Sequence, residues 1–255
     1  MIRRSVPEWL DDTSNPLLFA HRGCSLKAPE NTISAFELAK DFGIPGIELD
    51  VQMCKSGELI VFHDFDFTRI GRREEKTVDL AWREVKTIDA GKSIGGTYIE
   101  EQIPLLQEVF EQFGDTFLYD IEIKHRDRNP REIELNVVEL IRQYSLESRC
   151  IVSSFNPFSI KQIHALAPEI PTAIIYAVDP EVPPILRRGS GRFLSSPVIL
   201  KPHREQVNRW TMFWRNRVGN YPIIPWTVDT RDEALALLSL GVSGIISNCP
   251  EELGI

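Results

Sequence analysis

Alternation is the feature that most restricts how this chain can fold. Apolar runs of strand length recur eight times along its 255 residues: LLFAHRG from Leu17, PGIELDV from Pro45, FLYDIEIK from Phe117, CIVSSF from Cys150, AIIYAV from Ala173, PVILKPH from Pro197, YPIIPWTV from Tyr221 and SGIISNC from Ser243. Between them fall stretches with helical spacing: ENTISAFELAKDFG, LLQEVFEQFG, REIELNVVELIRQY, PFSIKQIHALA, EVPPILRRG, EQVNRWTMFWRNRVG and TRDEALALLSLG. In the third, Ile133, Val137, Leu140 and Ile141 fall close to one face; in the sixth, Val207, Trp210, Trp214 and Val218 do. Strand followed by helix, over and over, calls for a parallel sheet covered by helices. Eight repeats in a chain of this length fit a closed (β/α)8 TIM barrel better than an open doubly wound sheet.

Two places interrupt the rhythm. GELIVFHD adds a strand after a Lys55-Ser56-Gly57 turn, and residues 65–104 show little periodicity, as a small insertion after the second strand would. KTVDLAWREVKTIDAG predicts a short helix within it, and Gly95-Gly96 predicts a turn too slight to be a phosphate loop. No linker or low-complexity tract divides the chain, so one domain over 1–255 is expected. Four cysteines, Cys24, Cys54, Cys150 and Cys249, lack paired spacing, which argues against a disulfide framework or a four-thiolate zinc site and suits a reducing cytoplasm. No segment has the make-up of a signal peptide or a membrane span. A formal charge of −8 argues against general nucleic-acid binding.

Within these apolar runs some charges have no business in an ordinary core. Side chains alternate along a strand, so Glu48 and Asp50 share a face, as do Asp120, Glu122 and Lys124. In a barrel the C-terminal strand ends and the loops after them build the site. His21-Arg22 ends the first strand and His63-Asp64 ends the extra hairpin, so neighbouring strand ends deliver two histidines, several carboxylates, an arginine and a lysine to one rim. Crowded carboxylates repel one another unless a cation compensates. Oxygen ligands such as Glu48, Asp50 and Glu122 suit Mg²⁺ or Ca²⁺ rather than zinc. Arg22 and Lys124 add positive charge for an anionic substrate, and His21 and His63 could divide the proton work, one as base and one as acid. The set suits a phosphodiester.

Plainer readings stand beside these. A solvated strand edge is the alternative for Glu48 and Asp50, capping or packing for either histidine, and a simple salt bridge for Lys124. Asp120, deeper on the same face, is expected to accept hydrogen bonds without touching a metal. Pro29-Glu30-Asn31-Thr32 predicts a helix start with Asn31 as N-cap. His125, His164 and the arginines of GRR after Ile70 are expected to be exposed.

Taken as a set, HRG at His21, PENT at Pro29, ELDV at Glu48, FHD at Phe62, EIK at Glu122, SSF at Ser153, PWTVD at Pro225 and GVSGIIS at Gly241 resemble the glycerophosphodiester phosphodiesterase family. The resemblance runs from Ala20 to Pro250. It implies a (β/α)8 barrel with a small insertion, a divalent metal on Glu48, Asp50 and Glu122, acid and base roles for His21 and His63, and phosphate contacts for Arg22 and Lys124. The implied reaction hydrolyses a glycerophosphodiester, such as glycerophosphocholine or glycerophosphoethanolamine, to sn-glycerol 3-phosphate and an alcohol. The attacking group is either the neighbouring glycerol hydroxyl, through a cyclic intermediate, or water.

The chain departs from the family pattern in three places: MCKSGE at the hairpin turn, FDFTRIGRR after His63-Asp64, and Asp229 where Asn is common. Phe155 and Trp226 are expected to line the pocket, and His203 to approach the rim. Phe65, Phe67 and Trp82 leave open a lysophospholipase D acting over an apolar groove. A non-catalytic anion-binding barrel is the third reading, disfavoured by the paired histidines.

Overall fold

The computed structural model describes residues 8–11, 16–71, 73–93, 98, 100–126 and 132–255. Seven parallel strands follow one another round the barrel. They are β1 (Leu17–His21), β2 (Gly46–Met53), β4 (Leu118–Ile123), β5 (Cys150–Ser154), β6 (Thr172–Tyr176), β7 (Ile199–Pro202) and β8 (Gly244–Ser247), in the order β7-β6-β5-β4-β2-β1-β8. The extra hairpin strand, β3 (Leu59–Val61), pairs antiparallel with β2.

The eighth position differs from expectation. Residues 221–228 form no regular strand, because Pro222 and Pro225 cannot donate to a ladder. Isolated bridges join Ile223 to Leu200 and Trp226 to His203 instead. Ile224 and Trp226 donate to the β7 side, Val228 donates to Ile246, and Ile223 and Pro225 accept from Ser243 and Ile246. That segment closes the barrel between β7 and β8.

Alternation along the strands produces two cores and one charged layer. Outward residues such as Ile47, Leu49 and Val51 pack against helices that include Ile33–Asp41, Leu106–Phe113 and Glu132–Gln143. Inward residues at the lower end are apolar: Phe19, Leu118, Ile151, Ala173, Ile199, Ile224 and Ile246, with Leu10 plugging the floor. Gly46 contributes no side chain there because a Cβ would meet the Phe19 ring at 2.5 Å. Above that floor the inward residues of β2 and β4 become Glu48, Asp50, Asp120 and Glu122, all buried. The insertion has its own core, where Phe67, Ile70, Leu80, Val85 and Ile88 pack against Ile60 and Phe62. Its expected helix is a 3-10 turn at Thr77–Asp79 and a single helical turn at Trp82–Val85. Gly95 and Gly96 lie outside the described residues.

Two expected helices are corrected. EVPPILRRG forms turns, since Pro183 and Pro184 interrupt it, and only Arg192–Ser195 beyond it is helical. EQVNRWTMFWRNRVG breaks into a 3-10 turn (Arg204–Gln206), an α-helical turn (Arg209–Met212) and a wider π-helical stretch (Phe213–Val218). Its buried side is Met212, whereas Trp210, Trp214 and Val218 face solvent.

Candidate active site

Strand register brings the acids together. His21 lies beside Glu48 across β1 and β2, and Asp50 beside Glu122 across β2 and β4. One carboxylate oxygen from each of Glu48, Asp50 and Glu122 lies within 4.8 Å of the others, and all three side chains are buried. The loop after β1 arrives by two consecutive left-handed residues, Arg22 (φ 57) and Gly23 (φ 80). Glycine is required at the second, since a Cβ would meet Ala35 backbone at 2.7 Å. This turn sends the Arg22 side chain inward, where Nε is 3.2 Å from Asp50 Oδ2.

Asp50 and Glu48 have opposite surroundings. Burial alone would raise the Asp50 pKa, but the charges of Arg22 and Lys124, with a 2.8 Å hydrogen bond from Asn31 Nδ2, hold it well below the usual carboxylate range. Glu48 is pushed well above its ordinary value by burial and then by the charge of Asp50. Lys124 Nζ lies 2.9 Å from Glu122 Oε1 and 3.5 Å from Asp50 Oδ1. Thus three hard oxygen donors converge with more negative charge than Arg22 and Lys124 neutralise around Glu48. That donor chemistry fits a divalent cation that prefers oxygen.

Asp120 belongs to a separate pairing beneath. Lys201 Nζ lies 2.7 Å from its Oδ2, and Ser153 Oγ donates to its Oδ1 at 2.8 Å. This buried ion pair occupies Asp120 fully, as expected of a residue deeper on the strand.

The two histidines have contrasting neighbours. His21 Nδ1 is 2.6 Å from Asn248 Oδ1. Asp229 fixes that amide by accepting from Asn248 N and Nδ2, each at 2.8 Å, so the oxygen must face the imidazole. Nδ1 therefore carries the proton, leaving the Nε2 lone pair 3.8 Å from Glu48 Oε2. Burial, aided by the charge of Arg22, lowers the His21 pKa to about 3. His63 follows the hairpin, where Phe62 N donates to Asp50 O at 2.9 Å. Its Nδ1 lies 2.7 Å from the Asp64 carboxylate.

Arg69 ties this side together. Its Nε donates to Asp64 Oδ2 at 2.7 Å, and its Nη1 and Nη2 donate to both oxygens of Glu30 at 2.8 and 2.7 Å. Glu30 Oε1 accepts in turn from Arg22 Nη1 at 2.9 Å. Arg69 therefore connects the partner of His63 with the partner of Arg22.

Phe155 and Trp226 meet edge to face at 5.7 Å, with Lys124 Nζ 6.0 Å from the Phe155 ring and His203 5.4 Å from Trp226. They form an aromatic wall on the Lys124 side. Three expectations change. The N-cap of Ile33–Asp41 is Thr32, accepting from Ala35 N, while Asn31, in a left-handed conformation (φ 58), binds Asp50. His125 is half-buried against Glu134 rather than exposed, while His164 is exposed. Of the GRR arginines Arg72 lies outside the described residues, and Arg73 is half-buried, its guanidinium pairing with Glu75. Sequence reasoning also missed Glu30, Arg69, Lys201 and Asn248. A lysine within the apolar run VILKPH was the one local signal; the others act through contacts distant in sequence.

Known proteins resemble this chain over most of its length. Residues 21–252 match the model of the glycerophosphoryl diester phosphodiesterase family. A glycerophosphodiester phosphodiesterase of Caldanaerobacter subterraneus subsp. tengcongensis is 36% identical over 93% of this chain and 96% of its own. One from Bacillus altitudinis is 33% identical, covering 92% of this chain and 95% of its own. Among solved structures, an Oleispira antarctica phosphodiesterase in complex with the product sn-glycerol-3-phosphate superposes with a TM-score of 0.81 at 27% identity, over 93% of this chain and 95% of that one.

Proposed function

The chain belongs to the glycerophosphoryl diester phosphodiesterase family and is an enzyme of that class, and from that premise we propose how its own residues act. The substrates are small glycerophosphodiesters, such as glycerophosphocholine and glycerophosphoethanolamine, and the products are sn-glycerol 3-phosphate and the free alcohol. Glu48, Asp50 and Glu122 hold one Mg²⁺ or Ca²⁺. Bound there, a cation would supply positive charge for the phosphodiester and favour deprotonation of an attacking hydroxyl.

The opposite partners of the two imidazoles carry the assignment of roles. His21 donates Nδ1–H to a neutral amide oxygen and keeps an Nε2 lone pair, which is the condition of a general base. His63 Nδ1 meets the Asp64 carboxylate, which orients the ring, and we assign it the general acid. In the reaction His21 Nε2 takes the proton of the attacking oxygen as its bond to phosphorus forms. His63 gives a proton to the leaving alcohol oxygen as the bond from phosphorus to it breaks. Arg22 and Lys124 bind phosphate oxygens, and Phe155 and Trp226 flank the bound organic group. The adjacent glycerol hydroxyl attacks first, and water then opens the cyclic diester with the two histidines exchanging roles.

Lysophospholipids fit less well. Phe67 is buried against Phe62 at 4.8 Å, Trp82 packs on the same cluster, and Arg126 covers the Phe65 ring at 4.1 Å. Among the described residues the insertion thus offers these three aromatics no open groove. No described helix is long and apolar enough to cross a membrane. Four free, buried cysteines suit a reducing compartment, and we assign the enzyme to the cytoplasm.

A leaving-group comparison tests the roles. The His63→Ala variant should lose about 10²–10⁴-fold on glycerophosphocholine yet recover most of the first step, read as p-nitrophenol release, on a glycerophosphate ester of p-nitrophenol, whose oxygen needs no proton. His21→Ala should lose comparably on both. Equal losses by both variants on both substrates would contradict the division of labour.

A further inference from the structure

The segments that follow β6 and β7 form a surface unlike the rest of the molecule. From Ile185 to Gly219 the chain has eight Lys and Arg and a single acid, Glu205, within a protein of net charge −8. Lys201 pairs with Asp120 inside the barrel, and Arg204 pairs with Glu233. Arg188, Arg192, Arg209, Arg215 and Arg217 meet no carboxylate among the described residues. Arg192 and Arg215 donate only to neutral oxygens, those of Gly189, Tyr176 and Arg188.

Large apolar side chains stand out from the same surface. Phe193 is 75% exposed, Trp210 71%, Phe213 and Trp214 50% each, and Val218 52%. Trp210 and Trp214 are in ring contact at 6.1 Å, and Trp214 with Phe213 at 5.2 Å. A cleft of about 360 Å³ opens between them, lined by Arg192, Phe193, Trp210, Trp214 and Arg215. Burial, and then the charge of Arg215, lowers the pKa of the Arg192 guanidinium. Arg192 and Arg215 thus line the cleft beside aromatic rings with no carboxylate partner among the described residues.

We propose that this face docks the protein onto an anionic lipid bilayer, with Phe193, Trp210, Phe213 and Trp214 entering the interface and the surrounding arginines meeting lipid phosphates. Aromatic rings beside basic side chains are the composition of interfacial anchors. Charge complementarity selects this occupant. The rest of the chain is strongly acidic, so an anionic surface attracts this face and repels the others. A second copy seated symmetrically would bring arginine against arginine.

The test is co-sedimentation of the full chain with vesicles of phosphatidylcholine containing phosphatidylglycerol, against pure phosphatidylcholine. The native chain should pellet with the anionic vesicles, and added salt should release it. Arg209→Glu with Arg217→Glu should weaken partitioning at least ~20-fold, at about fivefold per arginine near the surface. Trp210→Ser with Trp214→Ser should weaken it at least about tenfold. Hydrolysis of glycerophosphocholine should be unchanged in both, since none of the four residues touches the site; if the tryptophan variant fails to fold, the arginine variant decides. Absence of pelleting, pelleting unaffected by the arginine changes, or a solution dimer that the variants dissociate without any vesicle binding would overturn the proposal. The last outcome would assign the face to a second copy.

Discussion

The two flanks of the carboxylate cluster use the same side chain in opposite company. On the β1 flank, His21 is sunk against a neutral amide that Asp229 holds rigid. On the hairpin flank, His63 is more open, and its partner Asp64 is bound by Arg69 from the insertion. The difference teaches that an imidazole's role follows from its burial and charged neighbours together with what its distal nitrogen touches. Burial, and then the charge of Arg22, keeps the His21 ring neutral against the opposing pull of the Asn248 hydrogen bond, while Asp64 orients the His63 ring. It also gives the insertion a task, since Arg69 reaches both Asp64 and, through Glu30, Arg22.

The contrast can be broken from either side. Loss of His21 is the largest expected effect, about 10²–10⁴-fold in kcat with natural and activated esters alike; steady-state kinetics on both substrates measures it. Making the flanks alike is subtler. Asn248→Asp would give His21 a carboxylate neighbour and raise its pKa from about 3 by roughly 1–3 units. The acid limb of the rate profile should move to higher pH, with activity recovered on the alkaline side. An unmoved limb would show that Asn248 does not set the state of His21.

Arg69→Ala should cost about 10–100-fold, as loss of a residue that orients others commonly does, and Arg69→Lys should rescue it poorly because the fork to two carboxylates is lost. The remaining effect is on stability. His21 has a folded pKa below its unfolded value of 6.5, so its contribution is complete above about 6.5 and is lost as pH falls toward about 3. In chelator, urea unfolding should weaken over that window by at most about 1.4 kcal/mol per pH unit from this group. The His21→Asn protein should show a shallower decline.

How much of this was legible in the sequence depended on the range of the interaction. The barrel was legible because strand and helix periods repeat, and Glu48, Asp50 and Glu122 because acids on apolar strands violate their own pattern. Residues 221–228 closed the barrel without a regular strand, since prolines remove donors while the flanking N–H and C=O groups still pair. The outward turn of Trp210 and Trp214 was not legible, because helical spacing gives a stripe but not its direction. Arg69 and Asn248 were hidden for another reason. Glu30 is 39 residues from Arg69, and His21 is 227 from Asn248, so no local pattern joins them. The Asn31 tetrapeptide also spells a helix cap, and the left-handed conformation of Asn31 itself decides otherwise.

The central claim is that Glu48, Asp50 and Glu122 hold a divalent cation without which the histidines do not turn over substrate. Release of sn-glycerol 3-phosphate from glycerophosphocholine, followed while chelated enzyme is titrated with Mg²⁺ or Ca²⁺, tests it most directly. Activity should return from near zero along a single-site curve, and Glu122→Gln should shift that curve to higher metal concentration with a lower plateau. Full turnover in chelator, or a Glu122→Gln curve superimposable on the native one, would contradict the account.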